Sequence, residues 1–408
     1  MKRIAIFIDG TWNRPDAEHP TNVVRLARCV RHRADGGMAQ MVLYSPGVGS
    51  GRGNNALARR MDRTLGGALG WGLTDIIADA YRNLVFAYEP GDEICVFGFS
   101  RGAFAARSLV GMIRSCGIAP RAHLARLPEA LARYISRDSA THPGSDDSHA
   151  WREGFAPDTA TSRREMAWRD KHGKGSAGVI DLRIAYLGVW DTVSALGLPA
   201  FIPFADRFNR QYRFHDAKLS SMVLAARHAI ALDEKRRTFP SYPWDNMPEL
   251  NEEYEHFVPT YMQQWFAGNH GSVGGGGSRT GLSSIALNWV AMGAERAGLA
   301  IDWQEFDRVA YDFDPLDPLD NKFGPVGLSG ALLNLIERDR AGPADLSDVS
   351  VAAIDRFRQD DSYRPKSLDR VYHQLFGMSD EQYARMRAAR VMAEGGDTHR
   401  LGQISRPR

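Results

Sequence analysis

Ser100 stands in Gly98-Phe99-Ser100-Arg101-Gly102, behind the apolar run EICVF and ahead of the small-residue run AFAAR. A serine becomes a nucleophile when a sharp strand-to-helix turn exposes its hydroxyl. The residues two before and two after it then crowd each other and must be small. The helix that follows aims its first amides at the space where negative charge would develop. Turn filler is the plain alternative for such a serine, and the strand before it and the helix after it favour a nucleophile. The hydroxyl needs a base, and the base needs an acid to orient it. On this kind of sheet they should follow in the order Ser, Asp or Glu, His, each just past a strand. Asp191 follows the run RIAYLGVW, and His270 follows MQQWFAG. Asp233, in ALDEKRR, is the alternative acid, although its basic neighbours Lys235, Arg236 and Arg237 explain it equally well as an ion-pair partner. Asp191 is favoured and both stay open. His228, in LAARHAIAL, is placed inside a helix with a structural role. For the oxyanion hole, the Arg101 N–H is one donor; in FIDGTWN, Gly10 lets the backbone approach and Thr11 offers a further donor. Asp9 in that run does not complete an Asp-x-Asp phosphatase motif, because position 11 is Thr.

These residues need a scaffold. Residues 3–8 read as a buried strand, and TNVVRLARCVRHR as a helix capped by Thr21 or Asn22. MVLYS is a second strand leading into a loop with glycines at 47, 49, 51 and 53. Their spacing fits neither a dinucleotide fingerprint nor a Walker loop, so this is read as a surface loop. LTDIIADAYRNLVFAY places Leu73, Ile76, Ile77, Ala80, Leu84 and Tyr88 on one helical face, with Asp75 and Asp79 on a solvated one. The order β-α-β-α-β-α predicts a parallel sheet covered on both faces. Residues 120–178 are polar and rich in loop residues, with helical pieces at 124–134. They read as a cap over the C-terminal edge of the sheet, above Ser100. Further expectations are a strand at 182–189, a helix at 216–231, and a helix capped by Ser283 or Ser284 and closed by Gly298. The tail carries helical candidates at 327–338, 346–358 and 380–393. GLPAFIPFADRF supplies Leu198, Phe201, Ile202, Phe204 and Phe208 for an acyl pocket or a bilayer contact, or simply as packing beneath the cap.

Composition narrows the partners. The 408 residues carry 51 basic and 49 acidic side chains, and no basic block interleaved with aromatics, so no nucleic-acid partner is expected. Cys29, Cys95 and Cys116 have neither metal spacing nor an even count, which fits a reducing compartment. The opening MKRIAIFIDG has an apolar run too short for a signal peptide, and no apolar stretch of membrane-spanning length follows. The expected location is cytoplasmic, or export by a route that reads no conventional signal.

FIDGTWN, GFSRGAFAAR, LGVWDTVSALG, RHAIALDEKRRTFP and WFAGNHGSVGGGG follow one another in an order that resembles one bacterial family. It is the α/β-hydrolase domain shared with phospholipase effectors of type VI secretion systems, and the likeness spans roughly residues 1–300. The resemblance implies an α/β-hydrolase fold: a mostly parallel sheet with helices on both faces, an inserted cap, and a helical C-terminal extension over 301–408. It implies an esterase or lipase acting on phospholipid, with Ser100 as nucleophile, an Asp as acid, His270 as base and no cofactor. A membrane surface and a secretion or immunity partner come with that reading. The family's histidine loop reads His-x-Asp-Val-Gly-Gly-Gly, whereas this chain has Ser272 at the Asp place. The chain is also short for a dedicated effector, which leaves room for a housekeeping hydrolase. A small-ester or polyester hydrolase, and a silent hydrolase fold used for binding, are the alternatives.

Overall fold

The structure, a computed structural model, describes residues 1–10, 13–47, 71–193, 218–237, 239–253, 260–320 and 337–394. In chain order the first half holds β1 (Lys2–Ile8), α1 (Asn22–Cys29), β2 (Ala39–Ser45), α2 (Trp71–Ala87), β3 (Glu93–Phe99) and α3 (Arg101–Cys116). An insertion follows with α4 (Leu127–Ile135), α5 (Asp146–Phe155), β4 (Thr159–Ala160), α6 (Arg163–Lys171) and β5 (Ile180–Asp181). The sheet resumes with β6 (Tyr186–Trp190), β7 (Ala226–Ala231), α7 (Met247–Glu253), β8 (Tyr261–Phe266), α8 (His270–Gly274) and α9 (Gly281–Arg296). The extension adds α10 (Trp303–Val309), α11 (Val351–Gln359), α12 (Tyr372–Gly377) and α13 (Asp380–Glu394).

Six strands form one sheet in the order β2-β1-β3-β6-β7-β8, and every pairing in it is parallel. Alternation along a strand sends successive side chains to opposite faces. Ile4, Ile6, Ile8, Ile94 and Val96 thus join Tyr81, Leu84, Leu109 and Ile113 of α2 and α3 in one core. Ala5, Phe7, Cys95, Phe97 and Phe99 join Leu26 of α1 and Leu287 and Val290 of α9 in the other. With both faces covered, the strands read as continuous apolar runs. From β1 the strand order runs to β2 on one side and to β3 on the other. The crevice outside the carboxyl ends of β1 and β3 is therefore the topological switch point, where open α/β sheets place their ligands. Gly10 and Ser100 both lie there.

Three expectations change. The stretch read as a helix at 216–231 contains β7 instead, and His228 sits on that strand. Ala226–Ala231 is buried throughout, and a short apolar run buried on both faces has no period to tell strand from helix. The strand expected at 182–189 starts later, at Tyr186. The insertion is not a cap above Ser100: its bonds run to the far end of α3. Ile118 N–H donates to Thr159 Oγ1, Arg114 to Thr161 Oγ1, and Arg152 to the Ser115 carbonyl. It is also more ordered than its polar composition suggests, because Arg152 and Arg169 bury their charges on Glu165.

At α9, Thr280 holds the N-cap position, while Ser283 and Ser284 lie in the first turn and accept hydrogen bonds from Arg25. Gly298 follows the helix with φ +98°. In the extension, Val349, Ile354, Phe357 and Leu368 form a third core with Ile230, Leu232 and Trp265 of the sheet edge. Ser350 N–H donates to the Trp265 carbonyl at 2.9 Å. The helical candidates at 346–358 and 380–393 coincide with a short turn plus α11, and with α13. Most of the 327–338 candidate lies outside the described residues.

Candidate active site

Ser100 is the first residue past β3, with φ 60° and ψ −125°, and α3 starts at the next residue. A left-handed backbone at a residue with a Cβ is strained and persists only where its surroundings impose it. Here they do. A Cβ on Gly98 would lie 2.4 Å from the Gly102 carbonyl oxygen, and one on Gly102 would lie 2.2 Å from the Ile8 carbonyl oxygen. The two glycines let the turn close against itself and against β1. Gly10 packs on the other side, where its Cβ would meet the Ser100 Cβ at 3.1 Å.

The imidazole and a carboxylate close on the serine. His270 Nε2 lies 2.8 Å from Ser100 Oγ, and His270 Nδ1 lies 2.5 Å from Asp191 Oδ2. Asp191 follows β6 with φ 35°, a second strained position. Its Oδ1 accepts the Ala231 N–H at 2.9 Å. His270 opens α8, a single turn capped by Asn269, whose Oδ1 accepts the Ser272 N–H at 3.0 Å. Phe99 and Phe239 pack on the imidazole with ring centroids at 4.6 and 4.9 Å. Gly274 is needed because a Cβ there would fall 1.9 Å from the Phe99 ring. Ser272 donates its hydroxyl to the Leu319 carbonyl at 2.7 Å and so ties the loop to the extension.

Burial presses the Asp191 carboxyl upward, but the Arg340 guanidinium and His270 outweigh it and hold the group well below the usual carboxylate range. Burial lowers His270 below its ordinary value, against the opposing pull of Asp191, and so favours the neutral ring. A neutral imidazole between a serine hydroxyl and a carboxylate is the arrangement that takes up a hydroxyl proton.

Asp233 serves a different purpose. Its Oδ2 accepts the Gly268 N–H at 2.7 Å and the Tyr363 hydroxyl at 2.9 Å, bracing the turn before His270. Its neighbour Glu234 accepts the His270 N–H at 3.1 Å and both arms of Arg236. His228 is buried on β7, accepts the Thr192 N–H through Nε2 at 3.3 Å, and burial holds it well below its ordinary pKa. The Arg101 amide lies at the start of α3, beside Ser100. The Gly10 N–H donates to Asp9 Oδ1 at 2.7 Å, and Gly10 lets the backbone come close to Ser100, where an added Cβ would lie 3.1 Å from the serine Cβ. Thr11 lies outside the described residues, as do Leu198, Phe201, Ile202, Phe204, Phe208 and the glycines at 49, 51 and 53.

Two residues at the site have roles that the sequence did not show. Arg340 donates to both oxygens of Asp191 from 149 positions away, in a stretch without a motif. Asp9 also accepts from Thr21 at 2.8 Å and Tyr44 at 2.9 Å, and burial raises it to about 6. Among the described residues no group of three or more His, Cys, Asp or Glu side chains could hold a metal ion. Among them, too, no helix is long and apolar enough to cross a membrane.

A chain described as uncharacterized protein YEL023C, from Saccharomyces cerevisiae, is 27% identical over 257 residues, covering 61% of this chain and 33% of that one. The crystal structure of an uncharacterized protein from Pseudomonas aeruginosa aligns at TM-score 0.39 and 18% identity, over 76% of this chain and 49% of that one. The structure of the Tle1 effector bound to the VgrG spike from the type 6 secretion system aligns at TM-score 0.30 and 17% identity, over 67% and 52%. The chain thus spans a third to a half of the length of these relatives. Residues 2–293, the span that holds Ser100, Asp191 and His270, match the family described as T6SS phospholipase effector Tle1-like, catalytic domain, and this chain belongs to that family.

Proposed function

We propose that this protein is a serine hydrolase that cleaves carboxylic esters of lipids, phospholipids foremost, through Ser100, His270 and Asp191. The observation that carries the proposal is the unbroken path from Ser100 Oγ through the imidazole to Asp191, at the switch point of the sheet. The lipid part of the reading rests on the family. In the first half-reaction Ser100 Oγ bonds to the ester carbonyl carbon while its proton passes to His270 Nε2. The carbonyl oxygen takes up the negative charge near the Arg101 N–H and the start of α3. The tetrahedral species collapses, the alcohol leaves with the proton from Nε2, and the acyl group stays on Ser100. A water then gives a proton to Nε2 and its oxygen to the acyl carbon; the bond from that carbon to Ser100 Oγ breaks, Oγ takes the proton back from Nε2, and the fatty acid is free. Delivery by a spike such as the one bound to the Tle1 effector, from a cytoplasmic pool, belongs to the same reading; co-purification with a spike protein tests it.

A fluorophosphonate probe is expected to label the protein and to leave Ser100→Ala unlabelled. Vesicles of phosphatidylcholine and phosphatidylglycerol are expected to release fatty acid with the wild type only. Asp191→Asn should lose about 10⁴ in turnover, as for other triad acids, while Asp233→Asn keeps most of its activity. Labelling of Ser100→Ala at the wild-type rate refutes the nucleophile. Hydrolysis of short esters with no fatty acid from vesicles would leave a small-ester or polyester hydrolase. A wild type that never labels would leave a binding protein.

A further inference from the structure

Arg340 lies beyond the residues that match the family, yet its side chain ends in the candidate site. Its Nη1 donates to Asp191 Oδ1 at 2.6 Å and to the Ala231 carbonyl at 2.8 Å. Its Nη2 donates to Asp191 Oδ2 at 3.0 Å and to the Phe239 carbonyl at 2.8 Å. Both partners are buried, Asp191 completely. A planar guanidinium with two parallel bonds to one carboxylate fixes orientation as well as charge, which a lysine ammonium cannot do. The strand of chain carrying it is itself anchored, since Arg338 N–H donates to the Lys235 carbonyl at 2.8 Å and Arg236 bridges to Glu337.

We propose that Arg340 is a positioning residue that holds the Asp191 carboxylate facing the imidazole, and thereby sets the basicity of His270. The proposal rests on the reading of Ser100, His270 and Asp191 as a triad, and it makes the C-terminal extension a working part of the site. The physical argument has two sides. The fork keeps both carboxylate oxygens in place, so one of them always meets Nδ1. The same positive charge cancels part of the field that Asp191 exerts on the ring, so the imidazolium gains less and the base titrates lower. Among the described residues, four other charged or titratable groups bear on this pair. Glu234 sits on the His270 backbone and Arg236 sits on Glu234. His228 lies one strand over, with Arg107 acting on it in turn. Arg236 acts on His270 with or without Arg340, and with Arg340 gone the negative charge of Asp191 reaches the ring without a guanidinium bound to the same carboxylate.

The test uses the full chain. Arg340→Met should move the acid limb of the pH profile of kcat/KM upward by about one pH unit, as loss of a nearby like charge does. It should lower kcat with little change in KM. Arg340→Lys should bring the limb back toward its wild-type position, because the charge returns, while kcat stays reduced, because the fork does not. The His270 Cε1–H resonance, titrated by NMR in a Ser100→Ala background, should show the same upward displacement without any turnover. If Arg340→Met does not fold, the Lys variant is compared with Arg340→Gln by the same two readouts. An acid limb and a ring titration that stay at their wild-type positions in a folded charge-removing variant overturn the proposal, whatever happens to stability. A wild type that no fluorophosphonate labels removes the triad reading and this proposal with it, whereas normal labelling with an unmoved acid limb removes this proposal alone.

Discussion

Ser100, Asp191 and Asp9 each sit where an ordinary residue would not, and each is held there by identifiable neighbours. Ser100 and Asp191 have positive φ, which costs of order 1–3 kcal/mol apiece, and both belong to the hydrogen-bonded path. Asp9 bears its cost in charge. Burial raises its carboxyl from 3.8 to about 6, against the bonds from Thr21, Tyr44, Gly10 and Asn13. A folded-state pKa above the unfolded one means that the fold takes up the proton first as pH falls. The destabilisation from holding this carboxylate charged is therefore complete above about pH 6, and it is relieved between there and 3.8. Asp9→Asn keeps the shape and removes the charge. It should be more stable than the wild type at pH 8, by at most about 3 kcal/mol, and the gap should close by pH 4. Urea unfolding at the two pH values measures this; a gap that does not change with pH contradicts it.

At the scale of elements, the insertion gives the clearest case of one region belonging to the fold and not to the reaction. Glu165 is buried and accepts from Arg152 at 2.8 Å, from Arg169 at 3.1 Å and from the Thr161 N–H at 2.9 Å. All of this lies at the end of α3 away from Ser100, and a helix of 16 residues spans about 24 Å. Glu165→Ala leaves two buried guanidinium groups without their carboxylate and should cost about 3–5 kcal/mol. Turnover per folded molecule should be unchanged, as counted by active-site titration. Reduced turnover at full folding would bring the insertion back toward the site. The sequence showed that 120–178 interrupts the sheet. It did not show which end of the sheet the segment covers, because that depends on Thr159 and Thr161 meeting the last turn of α3, a contact between distant positions.

For the whole molecule, the extension is fused to the catalytic domain by a shared core. Phe357 packs among Ile230, Trp265 and Tyr363, and its ring meets Tyr372 and Phe376 at 5.7 and 5.2 Å. Phe357→Ala should cost about 3–5 kcal/mol and should lower the midpoint of a single cooperative transition. An early separate transition, with the sheet domain unfolding at its wild-type midpoint, would mean that the extension folds independently. The core gives a reason to expect one transition: Val349 and Ile354 of the extension cover the same edge residues that β7 and β8 must bury.

Local geometry was legible from the chain alone. The glycines around Ser100 announce a sharp turn because steric crowding in such a turn acts within five residues. β1, β3, α1 and α2 are readable because burial on a strand or a helix face imposes its own period. Asp191 and His270 could be named from the strands before them, but two acids stayed open, since spacing along a chain says nothing about distance across a sheet. The tertiary structure alone decided that His270 Nδ1 meets Asp191 while Asp233 braces Gly268. It also decided that LAARHAIAL is a strand, that the insertion lies away from the serine, and that Arg340 reaches Asp191. Each of these is a pairing between residues far apart in sequence. Such pairings arise only when the sheet and its covering layers pack together, so no local pattern records them.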